Sequence, residues 1–216
     1  MEQPSASPQT YRVAEIFHSV QGEGVYFGTP MTFIRFVGCS VGKKICAHCD
    51  TDFDREYEWR GGGKFSISRL LDEVRCNHVL LTGGEPLDQD LEPLLAAFRK
   101  RSLLVHIETS GTVFASATYL SGVWVTVSPK PGYLHEVLER ANEIKVIVPG
   151  LGPGDGWPTL EDALAFERKY LVPVFLQPRN AKHEVDKHNL QFCSELVMRY
   201  PQLRLSPQVH KFLNAR

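Results

Sequence analysis

The sequence predicts one α/β domain built on a mainly parallel sheet. Apolar or β-branched runs of strand length recur along the chain, helix-period stretches separate several of them, and no break in composition divides it. With 216 residues, 43% of them hydrophobic and 23% charged, the chain can bury its own core. Residues 1–10, rich in Pro, Ser and Gln, are expected to form a flexible tail, which leaves 11–216 as a single domain.

Taken in order, strands are expected at 11–17, 31–37, 78–81, 103–107, 123–127, 144–148 and 172–176. Helices are expected at 67–75, 91–100, 135–140, 160–169 and near 189–199. Thr159, followed three positions later by Asp162, reads as an N-cap with an acidic first turn. The Gly-rich stretches 60–63 and 150–156 read as connecting loops. Ligands of such sheets bind beyond the carboxyl ends of the strands, so polar residues directly after an apolar run are candidates for function.

Lys+Arg 24 against Asp+Glu 25 gives a net charge of −1, so no overall positive field exists to gather nucleic acid or anionic membrane. No apolar run approaches the roughly 20 residues of a membrane span, and the first residues lack the layout of a signal peptide. A cytoplasmic protein is the expectation. The five cysteines are too few for a disulfide scaffold.

Cys39, Cys46 and Cys49 cluster directly after the strand at 31–37. Three thiolates can hold an iron–sulfur cluster and leave one of four irons open for a substrate or cofactor. Zinc completed by His48, or three thiols without metal, are the alternatives. Cys76 and Cys193, in helix-like segments, read as core thiols.

Three further strand ends carry polar groups. Thr82-Gly83-Gly84-Glu85-Pro86 offers glycines that let a ligand approach the backbone, or simply a tight turn. Glu108-Thr109-Ser110-Gly111 and Ser128-Pro129-Lys130 offer hydroxyls, a carboxylate and an ammonium, which as caps or surface charges need no ligand. Arg35 interrupts the apolar run Phe33-Ile34-Arg35-Phe36-Val37, so it must pair or face a polar cavity. Gln21-Gly22-Glu23-Gly24 and Leu205-Ser206-Pro207-Gln208-Val209-His210-Lys211 are dense in hydrogen-bonding groups, although a turn and a frayed terminus explain them equally. No phosphate-loop or dinucleotide fingerprint is present, and His183 and His188 are spaced by five, which excludes a shared helical zinc face.

In combination and order, these motifs resemble the 7-carboxy-7-deazaguanine synthase family of radical S-adenosylmethionine enzymes over about residues 11–214. The resemblance implies a partial (β/α) barrel of the radical S-adenosylmethionine type, acting as a homodimer. It implies conversion of 6-carboxy-5,6,7,8-tetrahydropterin to 7-carboxy-7-deazaguanine with loss of ammonia, in queuosine and 7-deazapurine biosynthesis. It further implies a [4Fe-4S] cluster on Cys39, Cys46 and Cys49, and a reducing protein such as flavodoxin. S-adenosylmethionine contacts would fall to His48, Gly84, Ser128, Pro129, Lys130, Gln177 and Pro178, and Mg²⁺ to Thr51. Substrate contacts would fall to Val20, Gln21, Gly22, Glu23, Arg35, Thr82, Glu108, His210 and the terminal Arg216, with no side chain assigned as acid or base.

The chain departs from the family's usual C-x₃-C-x₂-C spacing, since six residues separate Cys39 from Cys46. Lys43-Lys44-Ile45 reads as an insertion expected to loop out. A glycyl-radical activase shares the cluster and Gly-Gly-Glu features but leaves the 21–24 and 205–211 segments unexplained. A zinc-binding interaction module is the rival from another class.

Overall fold

The computed structural model describes residues 9–47, 49, 51–116, 118–148, 155–181 and 184–213. Among the described residues nine strands form one sheet: β1 (Thr10–Val20), β2 (Pro30–Phe36), β3 (Gly63–Ser66), β4 (His78–Gly83), β5 (Leu104–Thr109), β6 (Val123–Val127), β7 (Glu143–Val148), β8 (Val174–Pro178) and β9 (Arg204–Leu205). Their order is β3-β1-β2-β4-β5-β6-β7-β8-β9. From β2 to β9 every neighbour is parallel, whereas β1 runs antiparallel to both β2 and β3. The sheet stays open between β3 and β9, which makes the architecture a partial (β/α) barrel.

The helices are α1 (Ile67–Asp72), α2 (Glu92–Lys100), α3 (His135–Leu138), α4 (Leu160–Tyr170), α5 (Lys187–Arg199) and α6 (Val209–Leu213). Outward-facing strand residues such as Ile34, Leu81, Ile107, Val125, Val146 and Leu176 share one buried core with Leu94, Phe98, Leu138 and Phe166 of the helices. The alternate residues face the concave side. There Phe17, Met31, Phe33 and Leu80 form a second, smaller core closed by Tyr26. With both faces of a central strand covered, its sequence reads as a continuous apolar run rather than an alternating one.

Three expectations need correction. The Gly-rich stretch at 60–63 is not wholly connector, because Gly63 opens β3, which pairs with β1 from Thr10 to Val13. Cys76 lies in a bend rather than in a helix, its N–H donating to Thr32 Oγ1 at 3.3 Å. The segment at 205–211 is ordered, since β9 and α6 bracket it. Thr10 already belongs to β1, and residues 1–8 of the expected tail lie outside the described residues.

Candidate functional site

The end of β4 sets the geometry of the cysteine loop. Gly84 N–H donates to Phe36 O at 3.3 Å and Glu85 N–H to Gly38 O at 3.1 Å, so strand end and loop start are stitched together. A Cβ on Gly84 would meet Gly38 O at 1.7 Å, which no side chain can tolerate. Asp88 Oδ2 accepts from Ser40 N–H at 2.7 Å and ties down the next residue of the loop. Lys43, Lys44 and Ile45 form an exposed turn closed by Cys46 N–H donating to Gly42 O at 3.1 Å. The extra residues therefore loop out while Cys46 stays inside.

Glu85 is nearly inaccessible, and its carboxylate is fully engaged. Oε1 accepts from Thr109 Oγ1 at 2.7 Å, and Oε2 from Ser110 N–H at 2.8 Å and Ser110 Oγ at 2.5 Å. It fastens the end of β4 to that of β5. Two further bonds, Ser128 N–H to Thr109 O at 2.8 Å and Lys130 N–H to Ser110 O at 3.1 Å, carry the linkage on to β6. Three strand-end motifs thus form one hydrogen-bonded rim.

Inside this rim, Cys39, Cys46 and Cys49 line a cavity of about 170 Å³ together with Gly84, Ser128 and Lys130. The three thiols are free, and burial pushes Cys46 up to about 11, with Lys130 opposing. Any metal loaded here must displace those protons. Among the described residues no group of three or more Cys, His, Asp or Glu side chains stands at metal-holding distance. An adjoining cavity of about 140 Å³ is lined by Cys46, Cys49, Lys130, Pro178 and Asn180.

Among the described residues Lys130 Nζ donates within its own turn, to Ser128 O at 2.9 Å and Ser128 Oγ at 2.6 Å. No described carboxylate pairs with it, and burial pulls its pKa below the usual lysine value, with the Cys46 thiol opposing. A cation in that state suits a ligand that brings its own carboxylate. Gln177 Oε1 is likewise buried without a bond, although its Nε2 donates to Glu23 Oε1 at 3.4 Å. These observations, with the side-chain-free approach at Gly84, fit a thiol-bound cluster carrying an amino-acid-bearing cofactor.

A second, narrower cavity of about 60 Å³ is lined by Phe17, Val20, Gln21, Gly22, Glu23, Phe33, Arg35, Leu80, Thr82, Glu108 and His210. Every described residue assigned to the substrate by the motif resemblance lies on this one wall. Thr82 and Glu108 also line the cysteine cavity, so the two spaces share a boundary. Arg35 pairs through Nε with Glu15 Oε1 at 2.9 Å, stacks 5.3 Å above the Phe17 ring, and donates from Nη1 to Thr51 Oγ1 at 3.3 Å. The expected cation in an apolar strand therefore has a protein partner, Glu15, that the sequence did not announce.

Residues 22–24 and 206–210, far apart in sequence, meet at this pocket. Val209 N–H donates to Gly22 O at 3.2 Å, Gly24 N–H to Ser206 Oγ at 3.0 Å, and Gln208 Nε2 to Glu23 Oε1 at 3.0 Å. A Cβ on Gly22 would stand 2.9 Å from His210 Nδ1, so glycine is what lets α6 close on the loop. His48 and Arg216 lie outside the described residues.

Sequence reasoning missed Lys145 and Glu143. Lys145 Nζ donates to Glu23 Oε2 at 2.5 Å and to Glu108 Oε1 at 3.1 Å. Burial alone would pull this ammonium down, but Glu108 and Glu23 lift it above the usual lysine range. Burial also pushes Glu23 up, and Lys145 overrides it to leave Glu23 below the usual carboxylate value. Glu143, raised by burial, accepts from Val25 N–H and Thr126 Oγ1, both at 2.8 Å. The signal was available: Ile144-Lys145-Val146 places a cation in an apolar run as Arg35 does.

Comparison with known proteins gives a consistent result. No protein-family model matches the chain. The 7-carboxy-7-deazaguanine synthase of Bordetella pertussis is 36% identical over 221 residues, covering 94% of this chain and 98% of the relative. That of Bradyrhizobium diazoefficiens is 35% identical over 224 residues, covering 96% and 100%. That of Escherichia coli K12 is 34% identical over 231 residues, covering 94% and 98%. The crystal structure of QueE from Escherichia coli superposes with a TM-score of 0.69 at 31% identity, covering 92% of this chain and 94% of that one.

Proposed function

The chain belongs to the 7-carboxy-7-deazaguanine synthase family, and from that membership we propose how its residues divide the work. It is an enzyme of the radical S-adenosylmethionine type that converts 6-carboxy-5,6,7,8-tetrahydropterin to 7-carboxy-7-deazaguanine, releasing ammonia, in queuosine and 7-deazapurine biosynthesis. The observation that carries the division of labour is the shared wall, Thr82 and Glu108, between a cysteine-lined cavity and a polar pocket.

In this reading Cys39, Cys46 and Cys49 hold a [4Fe-4S] cluster with one open iron. The cluster and S-adenosylmethionine, when bound, supply the one-electron chemistry that acts on C6 of the pterin. Lys130 takes the cofactor carboxylate, the bare backbone at Gly84 admits its amino-acid end, and Ser128, Pro129, Gln177 and Pro178 complete the cradle, with His48 beside them. Arg35, steadied by Glu15, meets the substrate carboxylate. Val20, Gln21, Gly22, Glu23, Thr82, Glu108, His210 and the Arg216 carboxylate enclose the ring system. The rim built by Glu85 keeps the two cavities in fixed register. The conversion is redox-neutral overall, so it consumes no net oxidant or reductant.

The proposal extends to Mg²⁺, held by Thr51 with oxygens of the substrate. Thr51 Oγ1 also accepts from Arg35 Nη1 at 3.3 Å, which ties the proposed ion site to the substrate pocket. A reducing protein such as flavodoxin delivers the electron, the enzyme works as a homodimer, and it works in the cytoplasm. No described helix is long and apolar enough to cross a membrane.

Anaerobic turnover of the reconstituted protein with dithionite, S-adenosylmethionine, Mg²⁺ and the tetrahydropterin tests this, with product followed by mass spectrometry. 7-Carboxy-7-deazaguanine is the expected product. Formation of 5′-deoxyadenosine alone would keep the cofactor site and remove the substrate assignment. A protein that stays colourless and binds zinc would remove both.

A further inference from the structure

Lys145 is 3% exposed, on β7, and it joins two carboxylates that arrive from distant parts of the chain. Glu23 follows β1, and Glu108 lies near the end of β5. Glu23 is engaged at both oxygens: Oε2 takes Lys145, and Oε1 takes Gln208 and Gln177. Glu108 is not. Its Oε1 accepts from Lys145 and from Gln21 Nε2, both at 3.1 Å, while no described group bonds its Oε2. Both glutamates line the polar pocket, and one ammonium between two carboxylates leaves a net negative, acceptor-rich floor.

We propose that Lys145 is a positioning residue of this pocket, holding Glu23 and Glu108 as fixed acceptors and leaving the open oxygen of Glu108 for the donor edge of a 2-amino-4-oxopyrimidine ring. The inference rests on the pterin reading above, since that ring half presents an N–H and an NH₂ side by side. The physical reason is charge balance. Without the ammonium, two close carboxylates remain in a largely buried site, and one takes up a proton. A protonated carboxyl presents a donor where the ring also presents donors, so the pocket loses its preference for the amino-bearing ring.

The test is calorimetric binding of 6-carboxypterin and of 6-carboxylumazine, its analogue with oxygen in place of the 2-amino group, to cluster-loaded enzyme. Wild type is expected to favour the pterin. Lys145→Met is expected to weaken the pterin by about 10- to 100-fold, as for loss of a charge-assisted contact, and to bring the ratio of the two affinities towards one. Because two uncompensated buried carboxylates can unsettle the fold, Lys145→Met/Glu23→Gln is measured in parallel: it removes one charge of each sign and with it that repulsion, and it is expected to lose the preference too because Glu108 no longer has the Lys145 bond that fixes it. Glu23→Gln alone keeps the Lys145–Glu108 bond and is expected to lose less of the preference than either lysine variant. Lysine variants that discriminate as wild type does, or a Glu23→Gln enzyme that fails as fully as they do, would overturn the role of Lys145. A wild-type enzyme that binds neither ligand overturns the pterin reading, and this proposal with it.

Discussion

At Gly84 a missing side chain lets the end of β4 touch the cysteine loop, with Gly38 O where a Cβ would be. Gly84→Ala must push strand and loop apart, at a cost of about 1–3 kcal/mol for overpacking. It is expected to lower both the thermal midpoint and the iron retained per chain after reconstitution; unchanged iron content would show that the loop tolerates the shift. Arg35 acts at the other cavity, between Glu15 and the pocket. Arg35→Met removes the cation proposed for the substrate carboxylate, and KM is expected to rise about 10- to 100-fold. The cluster's absorption should not change, so a bleached cluster would assign Arg35 a structural role instead. Arg35 was legible because a charge in an apolar strand must be accounted for. Its partner Glu15 was not legible, since a carboxylate in the middle of β1 looks like any solvated surface residue until the fold places it beside the guanidinium.

Among the elements, α4 shows what sequence carries most reliably. Thr159 Oγ1 accepts from Asp162 N–H at 3.2 Å and the Asp162 carboxylate accepts from Thr159 N–H at 2.8 Å, a reciprocal capping box. Thr159→Ala is expected to cost about 1 kcal/mol in urea denaturation and to leave turnover unchanged, because α4 packs on the outer face of the sheet. A loss of activity would mean that α4 positions the cavity after all. Local chemistry fixes such a helix end, so it is visible at short range. Strands β3 and β9 escaped notice for the opposite reason: they are four and two residues long, at the two edges, and pair only because their neighbours are already in place. The antiparallel direction of β1 was equally hidden, since an apolar run carries no sign of direction.

At the scale of the whole molecule, the concave face must bury polar groups that the helix-covered face does not. His106, on β5, meets His78 with a ring-nitrogen separation of 2.8 Å and packs edge-on to Tyr26, with Trp124 alongside on β6. Burial and, next, His78 bring His106 down to about 4 from its ordinary value of 6.5. Above pH 6.5 the ring is neutral in both states and carries no penalty. As pH falls from 6.5 towards 4 the unfolded chain takes up a proton that the folded one refuses, so stability declines through that window. Between pH 7 and pH 5 the loss attributable to His106 is about 2 kcal/mol, and urea denaturation of His106→Phe should show a decline smaller by that amount. Equal slopes for the two proteins would place the acid sensitivity elsewhere. The sequence by itself determined the parallel α/β class, most strand and helix positions, the cysteine loop and the strand-end motifs, because each rests on local periodicity or local side-chain chemistry. Only the tertiary structure decided that residues 21–24 and 205–211 close one pocket, that Glu85 ties the end of β4 to that of β5, and that Lys145 bridges Glu23 and Glu108. Those contacts join residues far apart along the chain, and the sheet order that brings them within hydrogen-bonding distance is a property of no single segment.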